Sequence, residues 1–147
     1  MERGGILPAT NRELGQVLEI QGQRTRVLIV DSYAAVREGL SALLTSEEDF
    51  EVVGEADNVA DAVLQAAVLR PDLLLLDLEM PALNGESTLD WLRGTTVSPV
   101  VVALGMNGDL SRQRRLTTGA CQGYIQKGIR PEDVLRTIRT AMQDCQA

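Results

Sequence analysis

Pro71-Asp72-Leu73-Leu74-Leu75-Leu76-Asp77-Leu78-Glu79-Met80-Pro81-Ala82-Leu83-Asn84-Gly85 is the stretch that decides the fold. Its consecutive leucines, bounded by Pro71 and a Pro/Asn/Gly cluster, are too short a run for a freestanding helix and suit a strand buried on both faces. Asp77 stands where that run ends. In an open parallel sheet, helices cover the two faces and only the carboxyl ends of the strands open to solvent, so ligands bind there. Taken alone, Asp77 reads more simply as a cap on the turn into the next helix than as a reactive group. Other stretches shift that balance.

Upstream, an apolar strand Val27-Leu28-Ile29-Val30 ends at Asp31-Ser32. It is followed by a helix with Val36, Leu40, Leu43 and Leu44 on one face and Ser32 or Tyr33 near its start. Phe50-Glu51-Val52-Val53-Gly54 reads as a second strand, and Asn58 as the cap of a helix with Val59, Val63, Ala66 and Ala67 on its buried face. Asp61 suits the positive end of that helix dipole. Downstream of the leucines, Asn84-Gly85 leads into a helix carrying Leu89 and Leu92, and Pro99–Ala103 is a β-branched strand. Residues 108–118 are only weakly amphipathic, Gly123-Tyr124-Ile125 is a short fifth strand, and Pro131-Glu132-Asp133 opens a last helix. Its buried face is Val134, Leu135, Ile138, Ala141 and Met142. Strand and helix alternating five times predict an α/β fold of three layers, doubly wound and flavodoxin-like. Its five-stranded parallel sheet has the order 2-1-3-4-5, because every parallel pairing needs a right-handed crossover.

The 147 residues make one domain, expected over 26–147, preceded by an N-terminal extension over 1–25 that is rich in Gly, Gln and Arg. Within the extension, Asn11 to Ile20 can form a short helix with Leu14, Val17 and Leu18 on one side. Cys121 and Cys145 fall in no metal or redox spacing, and no leader or long apolar run is present, so the expectation is a reduced cytoplasmic protein without membrane attachment. Fourteen basic against twenty-one acidic residues give a net charge of −7, which disfavours unspecific attraction to nucleic acid. With no histidine there is no Ser-His-Asp triad, no Cys-His pair and no imidazole base. Aromatics confined to Tyr33, Phe50, Trp91 and Tyr124 offer no base-stacking surface.

In the expected strand order, strands one and three are neighbours at the topological switch point, so Asp31 and Asp77 meet at their carboxyl ends. Two such carboxylates repel unless a cation lies between them, and the hard, oxygen-preferring cation of cells is Mg2+. Asp77 then becomes a plausible nucleophile. Lys127, two residues past the fifth strand, supplies a counter-charge for an anion such as a phosphoryl group.

On these residues the sequence resembles the receiver domain of bacterial two-component response regulators, from about Arg26 to Gln143. The resemblance is carried by Val27–Asp31, Val36-Arg37-Glu38-Gly39-Leu40, Val53-Gly54-Glu55-Ala56, Pro71-Asp72 through Asp77-Leu78-Glu79-Met80-Pro81 with Gly85, and Gly119-Ala120 through Gly123-Tyr124-Ile125 to Lys127. Arg37–Leu40 and the Gly119–Lys127 phrasing are most similar to the subgroup whose receivers precede a LuxR-type helix-turn-helix output domain. The resemblance implies that a histidine kinase passes a phosphoryl group to Asp77 with weakly held Mg2+, that Lys127 contacts that group, and that phosphorylation controls dimerisation and transcription. It is not expected to be an enzyme. DNA is then reached only through an output domain absent from this chain. The pairing surface is expected on the first or last helix, or at Arg112, Arg114 and Arg115, which otherwise read as a solvated face.

Two positions depart from the family pattern. The acidic pair after the first strand reads Asp31-Ser32, so a hydroxyl replaces a carboxylate that commonly ligates the metal. A carboxylate about 4 Å from the ion is worth on the order of several kcal/mol at an effective dielectric of about 20. Leu104 takes the place of the usual Thr or Ser, and leucine cannot donate a bond to a phosphoryl oxygen. Tyr124 matches an aromatic whose rotamer tracks activation; Leu104 is expected to fill the space that ring moves into. Glu79 usually lends its backbone carbonyl to the metal, and its side chain is a candidate for the missing carboxylate. These departures leave open an atypical receiver that works without phosphorylation as a dimerisation or interaction module. A flavodoxin-like enzyme or cofactor carrier is disfavoured, since Asp31-Ser32-Tyr33-Ala34-Ala35 is not a flavin-phosphate loop.

Overall fold

The computed structural model describes residues 24–81, 99–106 and 119–146. The expected helix with Leu89 and Leu92, the segment 108–118 with its arginines, and the extension up to residue 23 lie outside the described residues. The strands are β1 (Thr25–Val30), β2 (Phe50–Ala56), β3 (Leu73–Asp77), β4 (Val100–Gly105) and β5 (Gly123–Gln126). The described helices are α1 (Ala34–Thr45), α2 (Val59–Leu69) and α3 (Pro131–Gln146). All pairings are parallel and the order is β2-β1-β3-β4-β5, as expected from the alternation.

The leucine run sits in the middle of this sheet. Leu73 and Leu75 pack beneath α1 and α3 with Val27, Ile29, Leu44 and Ile138; Leu74 and Leu76 pack beneath α2 with Leu28, Val30, Ala62 and Ala66. All four are at most 1% exposed, and each stabilises the fold by about 2 kcal/mol before its entropy cost is subtracted. Period-two alternation thus splits one run between two cores.

The elements between the strands set the spacing of the strand ends. Asn58 Oδ1 accepts the Asp61 backbone N–H at 2.8 Å and starts α2, which ends at Arg70 in the left-handed region (φ 48°). A side chain at Gly54 would run into Gln65 and Leu69, so glycine lets α2 lie close on β2. The buried face of α2 is Val59, Ala62 and Ala66; Val63 is half-buried and Ala67 is exposed, a rotation of the expected stripe. Arg26 braces the other end of α2, its guanidinium donating to the carbonyls of Leu69 at 2.7 Å and Arg70 at 3.1 Å. Backbone bonds from Asp72 N–H to Arg26 C=O and from Val100 N–H to Asp72 C=O align the starts of β1, β3 and β4. Several strands run longer than expected: β1 begins at Thr25, one residue inside the expected extension, β2 continues past Gly54 to Ala56, β4 continues past Ala103 to include Leu104 and Gly105, and β5 includes Gln126.

Candidate functional site

Val30 lies opposite Leu76 in the β1–β3 register, so Asp31 and Asp77 emerge side by side at the carboxyl edge. Asp31 is wholly buried and Asp77 is 2% exposed. Each is held by the same local device, in which the carboxylate takes the backbone N–H two residues on. Tyr33 N–H donates to Asp31 Oδ1 at 2.8 Å, and Glu79 N–H donates to Asp77 Oδ1 at 2.9 Å. The two Oδ2 atoms remain for other work.

Lys127 supplies it from the far side of the sheet. The residue follows β5, donates its backbone N–H to Gly105 C=O at 2.8 Å, and is succeeded by Gly128 at φ 94°, a conformation that lets the chain turn away. Its ammonium lies 2.7 Å from Asp31 Oδ2 and 3.3 Å from Asp77 Oδ2. Burial pulls the Lys127 pKa down, but the two carboxylates outweigh it and hold the ammonium above the ordinary lysine value. The Asp31 contact is the shorter of the two and within charge-assisted hydrogen-bond distance. Two carboxylates against one ammonium leave the notch one negative charge in excess, away from water.

Hard carboxylate oxygens at Asp31 and Asp77, two negative charges to one ammonium, suit Mg2+, which keeps several of its waters and needs only one or two protein carboxylates. A third acid does not join them. Ser32 and Glu79 are both exposed, and no group of three or more His, Cys, Asp or Glu among the described residues is placed to hold a metal. The Glu79 backbone already serves the notch, because the turn after β3 points its N–H at Asp77.

Leu104 lies directly across from Asp77 in the β3–β4 register and is 1% exposed. It packs with Ile125 in the core beneath α1 and α3 and borders a cavity of about 270 Å³ lined also by Leu40, Ile129 and Val134. Tyr124 is half-buried and in register with Ala103, one residue out of step with Leu104. Strand alternation puts the two side chains on opposite faces of the sheet, so direct filling of the Tyr124 space by Leu104 is not what this register provides. Two neighbours were not anticipated. Arg37 donates to Asp31 C=O at 2.8 Å and pairs with Glu55 at 3.4 Å, and the largely exposed Tyr33 ring lies 5.2 Å from the Lys127 ammonium as a partial roof. One helical turn between Tyr33 and Arg37 was the available signal.

Among the described residues no helix is long and apolar enough to cross a membrane. The family description of the response regulator receiver domain matches residues 27–139. The nitrate/nitrite response regulator NarL of Escherichia coli K12 is 38% identical over 116 residues, which are 78% of this chain and 53% of NarL. This chain thus spans about half the length of the curated relatives it matches. The response regulator domain of Thermotoga maritima CheB superposes with a TM-score of 0.67 at 30% identity, covering 82% of this chain and 97% of that one. The isolated receiver domain of RcsB from Salmonella enterica serovar Typhimurium, determined with the phosphomimetic BeF3−, gives 0.72 at 20% identity over 82% and 89%, a likeness of fold. With the carboxylate pair and the lysine at three separate strand ends of the expected sheet, the chain belongs to the response regulator receiver domain family, with LuxR-type regulators among its relatives.

Proposed function

We propose that Asp77 accepts a phosphoryl group from a histidine kinase in the cytoplasm, and that this controls dimerisation and, through an output domain outside this chain, transcription. The observation that carries the reading is the convergence of Asp31, Asp77 and Lys127 at one point of the sheet's rim. An Asp77 carboxylate oxygen forms the bond to phosphorus as the bond from phosphorus to the donor's leaving atom breaks. Lys127 moves from its pairing with Asp77 Oδ2 to a phosphoryl oxygen, keeping its charge throughout. Asp31 and Asp77, with the Glu79 backbone carbonyl, would hold Mg2+, weakly because Ser32 contributes no charge. When bound, the ion neutralises developing negative charge on the phosphoryl oxygens.

With Leu104 across from Asp77, no hydroxyl stands there to bond the acquired group. Leu104 and Tyr124 are therefore proposed to carry the response from opposite faces of the sheet rather than as a hydroxyl–aromatic couple. Incubation with acetyl phosphate and Mg2+ followed by intact-mass measurement tests the reading. The expected result is a gain of one phosphoryl group that Asp77→Asn abolishes and Lys127→Met slows. A chain that gains none over hours in excess donor, or gains one that survives in Asp77→Asn, overturns it.

A further inference from the structure

We infer that the outer face of α2 is a surface on which two copies of this chain meet, about a two-fold axis that sets the two α2 helices antiparallel. The inference goes beyond the preceding reading and does not rest on whether Asp77 accepts a phosphoryl group.

A surface helix of a soluble domain ordinarily turns polar residues outward. α3 does so, with Arg136, Thr140 and Gln143 exposed opposite Val134 and Ile138. α2 does not. Its inward stripe is Val59, Ala62 and Ala66, while Ala60, Leu64, Ala67 and Val68 face out, with Leu64 66% and Val68 81% exposed. Asp61 is the helix's charged residue, and its carboxylate is occupied by the Gln65 amide at 2.9 Å. The outward ridge is therefore apolar and uncharged along its length.

The charges at its two ends identify the occupant. Two copies of a chain at −7 repel over most faces, and least over one that carries no charge. Asp57 precedes the ridge and Arg70 follows it; both are exposed, and Arg70 forms no ion pair among the described residues. Antiparallel pairing centred on Leu64 brings Ala60 of one copy to Val68 of the other and Asp57 of one to Arg70 of the other, twice over, as an isologous contact requires. A parallel pairing would set Asp57 against Asp57 and Arg70 against Arg70. The small residues Ala60 and Ala67 allow close approach of the two helices. An eleven-residue helix is about 16 Å long, so the patch falls short of the roughly 800 Å² per partner of a standard interface, and the dimer is expected to be weak, with Kd on the order of 100 μM.

Sedimentation equilibrium of the full, unphosphorylated chain tests this. The expected result is a monomer–dimer equilibrium that Leu64→Lys weakens at least tenfold. Asp57→Arg should weaken it three- to tenfold, and Asp57→Arg combined with Arg70→Asp should return it to within about twofold of the parent. In a Cys121→Ser, Cys145→Ser background, Leu64→Cys should form an intermolecular disulfide under mild oxidation while Glu38→Cys on α1 does not. A chain that stays monomeric to about 1 mM, a dimer indifferent to Leu64→Lys, or a charge swap that fails to restore association would each overturn the inference. So would finding that α2 binds a different protein while the chain itself stays monomeric. Leu64→Lys should still gain its phosphoryl group from acetyl phosphate, so loss of association and loss of acceptor chemistry are read separately.

Discussion

The clusters around Lys127 and Arg139 each bring one cation to two carboxylates from distant parts of the chain, and they are built to different standards. At the amino edge of the sheet, Arg139 of α3 donates to Glu47 Oε1 at 2.9 Å and, in a fork, to Asp49 Oδ1 at 2.9 Å and Oδ2 at 3.1 Å. Its guanidinium also lies 5.4 Å from the Phe50 ring. Every bond there is directed, yet Arg139 is 39% and Asp49 53% exposed, so water competes for all of it. At the carboxyl edge, Lys127, Asp31 and Asp77 are nearly dry, with two carboxylates to one ammonium. Charge is balanced least where water is scarcest. A buried cluster serving stability alone would be satisfied or replaced by apolar residues. The notch keeps its surplus charge for something that arrives.

The largest effect expected from this contrast is at Lys127. Lys127→Met leaves two buried carboxylates without their counter-charge and should cost about 3 kcal/mol in urea unfolding. A loss no larger than that of Arg139→Ala would break the contrast. Next is Ser32→Asp, which adds a third acid at the rim; Mg2+ affinity by calorimetry should rise at least tenfold, while Glu79→Gln should change it less than twofold. Arg139→Ala should cost up to about 1 kcal/mol, and 1 M salt should erase much of that while leaving the Lys127 contribution intact.

The smallest effects are those of pH. The side-chain hydrogen bond from Arg139 holds Asp49 below the usual carboxylate range against the opposing pull of burial. A depressed acid stabilises above its unfolded value, near 3.8, and loses that contribution as pH falls through its folded value. The parent and Arg139→Ala should therefore converge in acid. Lys127 is raised, so its contribution is complete below about 10.5 and disappears only as pH climbs past its folded value. The parent's advantage over Lys127→Met should decline at the alkaline end.

How much of this could be read from the chain follows from sequence distance. Leu73–Leu76, Val27–Val30 and the capped helix at Asn58 announce themselves locally, and with the right-handed crossover rule they fix strand order, which puts Asp31 beside Asp77. Lys127 was legible because it ends a strand. What depends on the rotation or register of one element against another was not. The α2 stripe uses Ala62 in place of Ala67, and Tyr124 pairs with Ala103 instead of facing Leu104; apolarity alone distinguishes neither. The Arg139 fork joins residues 90 and 92 positions apart, with no motif to flag it. Arg37 belonged to a recognisable phrase, yet its grip on the Asp31 carbonyl and Glu55 appears only when α1 is laid on the sheet.

Arg26 ties three things together that the chain visits far apart: the first turn of β1, the closing carbonyls of α2, and, through Asp72, the entrance to β3. A helix whose last carbonyls are clamped this way cannot unravel from that end without tearing the adjoining strands. Amide protons in the second half of α2 should then exchange with solvent on the slow clock of the sheet, although their side chains are among the most exposed apolar ones in the protein.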